Sequence, residues 1–260
     1  MRRKKVYEST VQSVERTLDI IEALAVNRIG IGVTELSKGL NLHKSTVHRL
    51  LTTLMVRKYV EQDSESGKYR LSVKLFELGN AVLSKLNMRA HALPFLRELR
   101  DRTRETVQLS IVDQNEVLYI DVLESPEKIG VKASIGERVP LYCTASGKIW
   151  LAGLPDDRFA EVSRSLELKA HTASTITSLD KLKDDVFKAR ETSVARDLGE
   201  YDEDLYGLGA AIKNYRGRVI ACISLAVPSS RYQEAAFDDL SKMLKDAADK
   251  ICYSVGFTDK

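Results

Sequence analysis

Ser45, Thr46, His48, Arg49 and Thr52 fall within one short stretch; every side chain among them can hydrogen-bond and none is acidic. In the same stretch Val47, Leu50, Leu51 and Leu54 recur at helical spacing, which predicts a helix with an apolar stripe turned to a core. The hydrogen-bonding residues occupy its other side. A polar face without carboxylates suits the DNA major groove. An arginine fork matches the two acceptors of guanine there, and hydroxyls and imidazole find base edges or phosphates. An amphipathic surface helix with a solvated polar side has the same periodicity, so the neighbouring residues decide between the two readings.

Thr34 is placed to cap a preceding short helix, and Gly39-Leu40-Asn41 supplies turn residues between the two. Downstream, Lys68 and Arg70 alternate with Tyr69 and Leu71, so a strand would direct both cations one way, toward phosphates. Helix, turn, helix and basic hairpin describe a winged helix-turn-helix. Arg49 is the expected base-edge reader, and Lys68 and Arg70 are the expected phosphate contacts. Val11, Val14, Leu18 and Ile21 mark an earlier helix, expected to pack under the reading helix. Residues 1–9 read as a disordered basic arm.

The charge distribution agrees with this placement. Residues 1–70 hold 13 Lys and Arg against 8 Asp and Glu, whereas the rest holds 27 against 29. Positive charge is concentrated where double-stranded DNA is expected to bind. No apolar run approaches the roughly 20 residues of a membrane span, so no membrane partner is expected. The basic Met-Arg-Arg-Lys-Lys start has no apolar segment behind it and does not read as a signal peptide. Three cysteines without CxxC spacing read as reduced thiols in a cytoplasm.

The domain reading is a DNA-binding domain over 10–72, a linker helix over 73–86 and a second domain over 87–260. Leu75, Leu78, Val82 and Leu86 make the linker helix too apolar to stand alone, so it also reads as a dimer contact. A helix with Pro94 in its first turn follows. Strands are then expected at 106–111, 117–122, 129–134, 193–197, 207–213 and 219–227, with helices at 179–191 and at the C-terminus. Strands in hairpins with helices at the sequence ends predict an α+β fold on an antiparallel sheet.

Within this second domain, Thr144 reads as the cap of a short helix that begins with Ala145, Ser146 and Gly147 and ends at Gly153. Small residues there either leave free N–H groups open to an anion or simply permit close packing. Enzyme motifs fail. Tyr142 and Ile149 break a phosphate loop around Ser146-Gly147-Lys148, and Ile212 breaks a dinucleotide fingerprint at Gly207-Leu208-Gly209. The four histidines show no metal-ligand spacing. Neither catalysis nor a metal or other cofactor is expected.

Taken together, S-V-E-R-T-L-D-I-I-E-A-L, L-H-K-S-T-V-H-R-L-L, G-K-Y-R-L, T-A-S-G-K-I-W-L-A, G-L-G-A-A-I, G-R-V-I-A-C-I-S-L and P-S-S-R resemble, in order and spacing, the isocitrate lyase regulator (IclR) family of bacterial transcription factors. The resemblance covers about residues 10 to 255. It implies a winged helix-turn-helix and a GAF/PAS-like effector domain in a homodimer or a tetramer, a dimer of dimers, that binds palindromic operators. A small organic acid in the second domain would control DNA binding. Carried over, the effector site includes Ala145, Ser146, Gly147, Asp197, Gly207 and Ser224. Gly207 stands where relatives often have cysteine and Ala226 where some have serine, which implies a roomier, less polar pocket than a two- or three-carbon acid needs. The alternative is a ligand-independent DNA-binding protein whose C-terminal domain only oligomerises.

Overall fold

Asn41 sits at φ 52°, in the left-handed region that asparagine tolerates. There the chain turns from α2 (Val33–Gly39) into α3 (Lys44–Val56). Ser37 Oγ donates to Leu42 O at 2.6 Å and braces the turn. This computed structural model describes residues 11–27, 29–78 and 88–256, and the chain divides between residues 85 and 86 into two units. The first holds α1 (Gln12–Ala25), α2, α3, β1 (Val60–Gln62) and β2 (Tyr69–Leu71). The two strands pair antiparallel, with Glu61 opposite Arg70.

Two expectations change here. Gly32, not Thr34, is the N-cap of α2, so Thr34 lies in its first turn. Ile31 exchanges both backbone hydrogen bonds with Tyr69 at 2.9 Å, and this anchoring brings the chain into the helix two residues earlier. On α1 the buried residues are Ile20 and Leu24, which join Leu36, Val47, Leu51, Leu54, Val60 and Tyr69 in one core. Val11, Val14 and Leu18 are more than half exposed. The helix has two apolar sides: the 20/24 pair reaches the core, and of the expected face only Ile21 packs against it, half-buried.

After the wing, residues 73–78 are helical; residues 79–86 of the expected linker helix, and the arm at 1–9, lie outside the described residues. The second unit runs α4 (Met88–Thr103), β3 (Thr106–Asp113), β4 (Glu116–Leu123), β5 (Arg138–Pro140), α5 (Ala145–Ala152), α6 (Asp156–Ser165), α7 (Leu179–Thr192), β6 (Ala195–Leu198), β7 (Leu205–Lys213), β8 (Val219–Pro228) and α8 (Glu234–Ser254). Six strands form one antiparallel sheet in the order β5-β4-β3-β8-β7-β6. Gln114 and Asn115, at φ 52° and 63°, make the tight β3–β4 turn that matches strand twist. Strand β8 is buried almost end to end, as a strand covered on both faces must be. Helices α4 and α8 pack on each other and on the sheet; α5, α6 and α7 form a second apolar group around Leu151, Phe159, Val162, Leu182 and Val186.

Three differences from the sequence reading have physical causes. Residues 129–134 are not a strand: Thr106 Oγ1 and Arg231 Nη1 donate to Val131 O and Ile129 O, so side chains hold this backbone. Pro94 lies inside α4, because Met88 and Ala92 extend the buried stripe of Leu96 and Leu99 toward the N-terminus. Helix α6, absent from the sequence reading, buries Phe159 and Val162.

Candidate nucleic-acid interface and ligand cavity

On α3, Val47, Leu51 and Leu54 are buried, which leaves Ser45, His48, Arg49 and Thr52 exposed and Thr46 half-buried. The sequence expectation thus places all five on one accessible side of the second helix of the pair. Helix α3 carries no acidic residue at any position, so its N-terminus presents unopposed amides and partial positive charge. Thr52 Oγ1 donates to His48 O at 2.8 Å, so toward a ligand the hydroxyl acts as an acceptor. In the wing, Tyr69 is buried and Arg70 is exposed. Arg70 Nε contacts Glu61 Oε1 at 2.7 Å, both side chains being half-exposed. Such a pair contributes about 0–1 kcal/mol and opens readily, whereas Lys68 has no ion pair among the described residues. At the tip, Asp63 accepts from the Ser66 N–H and hydroxyl, and these bonds hold its carboxyl below the usual range.

In the second unit, α5 is fixed at both ends. Thr144 Oγ1 accepts from Gly147 N at 3.2 Å, and Arg190 donates to Ala152 O and Leu154 O beyond the last turn. Lys148 N bonds to Thr144 O, so Ala145 and Ser146 supply the open donors of the helix start. Gly209 lets the helix touch the sheet, since a β-carbon there would stand 2.5 Å from Ala145 O. Gly147 does the same against Leu141 O, at 2.2 Å. The close-packing reading therefore holds for Gly147, which does not line the cavity described next.

That cavity, of about 360 Å³, is lined by Thr144, Ala145, Ser146, Asp197, Gly207 and Ser224, together with Gln108, Tyr119, Glu137, Tyr201 and others. Its size is ordinary for a small-molecule site. Five of the six residues carried over by resemblance meet here; Gly147 is the exception. Ser146 Oγ is buried without any hydrogen-bond partner. Ser224 Oγ donates to Gln108 Oε1 at 2.8 Å. Asp197 is 2% exposed, and its Oδ1 accepts from Glu200 N at 2.8 Å. Burial pushes its carboxyl up to about 7. The lining is more polar than Gly207 and Ala226 alone imply, because Gln108 and Tyr119 enter from β3 and β4 and Glu137 from the loop before β5. Sequence reasoning missed these three. For Gln108 and Tyr119 the available signal was polar residues within strands otherwise rich in valine, leucine and isoleucine; Glu137, in a loop, carried none.

Sequence reasoning also missed a buried ion cluster behind the cavity. Lys148 is fully buried, and its Nζ lies 2.7 Å from Asp185 Oδ2 and 2.5 Å from Glu200 Oε1. Burial opposes its charge, but Glu200 and Asp185 together outweigh burial and hold the ammonium protonated. Glu200 Oε2 has no partner. Burial pushes the Cys143 and Cys222 thiols up to about 12, and neither is in a disulfide. Among the described residues no group of three or more His, Cys, Asp or Glu could hold a metal ion, and no helix is long and apolar enough to cross a membrane.

The exposed, acid-free side of α3 and the cavity of the second unit can now be set beside known proteins. Residues 13–64 match the IclR helix-turn-helix domain, and residues 80–253 match the bacterial transcriptional regulator IclR C-terminal domain. The HTH-type transcriptional regulator KdgR of Escherichia coli is 36% identical over 96% of this chain and 95% of its own. The crystal structure of the Thermotoga maritima IclR is 29% identical, with a TM-score of 0.83 over 94% of this chain and 99% of that one. An IclR homolog from Microbacterium hydrocarbonoxydans, crystallised with 4-hydroxybenzoate, is 25% identical, with the same TM-score and coverage. Helix-turn-helix, antiparallel-sheet domain and relatives over nearly the full length leave one assignment: this chain belongs to the IclR family of DNA-binding transcriptional regulators.

Proposed function

We propose that a small organic acid, bound in the cavity of the second unit, controls operator binding by the first. One observation carries this reading: Ser146 Oγ is buried and unpartnered at the open start of α5, on a cavity of about 360 Å³. A carboxylate would accept from that hydroxyl and from the Ala145 and Ser146 amides, with the helix dipole behind them. Asp197, Gly207 and Ser224 would form the adjoining wall. The 4-hydroxybenzoate in the Microbacterium homolog supports an organic acid as the occupant.

On DNA, Arg49 reads a base edge, most simply guanine, flanked by Ser45, Thr46, His48 and Thr52. Lys68 and Arg70 hold phosphates. A palindromic operator calls for two copies, so the working form is a homodimer or dimer of dimers. The acid shifts how the subunits sit and hence the spacing of two reading helices, which must match half-sites about one helical turn apart or a multiple of it. The site of action is the cytoplasm, with reduced thiols.

The test is a thermal-shift screen of the full chain against carboxylic acids, followed by operator-binding titrations. An acid that raises Tm with concentration and changes operator affinity at least tenfold is the expected result. No stabilisation by any class of acid would leave the second unit as an oligomerisation module and sink the proposal.

A further inference from the structure

The wing is not the uniformly basic element that its two cations suggest. Residues 60–71 hold three carboxylates, Glu61, Asp63 and Glu65, against Lys68 and Arg70. Cross-strand register sets four of these in pairs. Glu61 stands opposite Arg70, and Asp63, whose N–H donates to Lys68 O at 2.8 Å, stands opposite Lys68. Directly opposite residues of an antiparallel pair share a face, so each cation offered to DNA has a carboxylate across from it. The two pairs differ. Asp63 is turned into the wing tip, where its Oδ1 accepts from Ser66 N and Ser66 Oγ, both at 2.7 Å, and from Glu65 N at 3.2 Å. Lys68 is left without an ion pair among the described residues. Glu61 has no such local bond to divert it, and its Oε1 takes Arg70 Nε at 2.7 Å.

We infer that Glu61 competes with a DNA phosphate for Arg70 and so brakes DNA binding by the wing, whereas Lys68 meets phosphate unopposed. This rests on the phosphate contacts proposed above for the two cations. The side chains of Arg70 and Glu61 are 60% and 51% exposed, so water and salt reach the pair and it exchanges partners readily. A phosphate offers the guanidinium what the carboxylate offers, a charged oxygen acceptor for its N–H groups. Holding both anions at once would set carboxylate and phosphate on either side of one guanidinium, and like charges that close repel.

Binding by the wing is then an exchange: one ion pair is lost, one phosphate is neutralised and about one counterion leaves the DNA. Part of the gain is spent in releasing Arg70 from Glu61. The wing therefore adds little to affinity for DNA of any sequence, and recognition falls on α3, which has no acidic residue. Glu65, at the wing tip, carries the same charge as Glu61 with no ion pair among the described residues. It separates competition for Arg70 from plain repulsion of DNA by an acid.

Anisotropy of a fluorescein-labelled duplex of arbitrary sequence, titrated with the full-length protein between about 50 and 200 mM salt, reads affinity and salt slope together. Glu61→Gln should tighten binding about two- to fivefold and steepen the slope by up to about one. Glu65→Gln should gain less, and Glu61→Gln should lose most of its gain when combined with Arg70→Ala. An equal gain with and without Arg70, or one no larger than that of Glu65→Gln, means that the pair survives on DNA and overturns the inference. Weaker binding by Arg70→Ala would then leave the phosphate reading standing. Weaker binding by Glu61→Gln makes Glu61 a support that aims Arg70 at phosphate and equally overturns the inference. If Arg70→Ala binds as the wild type does, the phosphate reading of Arg70 and the inference fall together.

Discussion

Replacing Lys148 with methionine keeps the length of the side chain and deletes a cation that solvent does not reach. Its two partners respond differently. Asp185 is 32% exposed at its side chain and can recover water. Glu200 is 9% exposed, and its Oε2 already has no partner. The loss therefore falls on Glu200, and breaking a buried pair in this way costs about 3–5 kcal/mol. For a unit of this size each kcal/mol moves Tm by about 2–4 °C, so the variant should melt roughly 6–20 °C lower at pH 8. Glu200 escapes by taking up a proton. Burial already raises it above its ordinary 4.5, and losing Lys148 raises it further. A carboxyl raised by folding contributes stability below its unfolded value and loses it as pH rises through the folded one, so the deficit should be smaller at pH 5 than at pH 8. The assay is thermal unfolding by circular dichroism across that range, with Lys148→Met/Glu200→Gln as the partner variant. A drop under about 2 °C at pH 8, or a double variant no more stable than the single, refutes the reasoning.

Gly209→Ala puts a β-carbon 2.5 Å from Ala145 O, so the helix start must move; a loss of about 1–3 kcal/mol and a blunted ligand-induced Tm shift are expected in the same melting assay. Arg49→Ala should weaken operator DNA by about 1–3 kcal/mol and random DNA far less, measured by fluorescence anisotropy. Equal losses on both would make Arg49 a phosphate contact. Lys68→Ala should weaken both alike and lower the salt slope by about one. Unliganded wild-type protein should lose Tm from pH 5 to pH 8, because Asp197 rises from its ordinary 3.8 to about 7 on folding, and Asp197→Asn should flatten that trend.

How much of this was legible in the sequence depended on whether a residue's neighbours are local. Helix α3 showed itself because its apolar and polar residues are separated by one helical period, and it buries Val47, Leu51 and Leu54 and half-buries Leu50, the four residues the period selects. The β3–β4 and β7–β8 hairpins were legible for the same reason: alternation and turn residues lie side by side in the chain. Two apolar faces on α1 defeated the same logic, since periodicity identifies a face but not its partner. The segment 129–134 has strand-like composition, yet its carbonyls are taken by Thr106 and Arg231, residues up to 102 positions away. Lys148 was the most hidden. A lysine in a short helix of small residues reads as solvated, and only the fold brings Asp185 and Glu200 to it.

The cavity and the ion cluster share a helix and a loop. Ser146 and Lys148 are two residues apart on α5; at the end of β6 the Glu200 N–H donates to Asp197 Oδ1. Lys148 thus ties the helix that offers anion donors to the strand end that carries Asp197. If the ammonium were lost, Glu200 would have reason to move, and the N–H it gives to Asp197 would move with it. A ligand that engages both Ser146 and Asp197 pulls on the same two elements from the other side. Lys148→Met should therefore weaken the organic acid at the cavity even where protein stability is restored by Glu200→Gln. A purely structural role for Lys148 would instead return ligand affinity together with Tm.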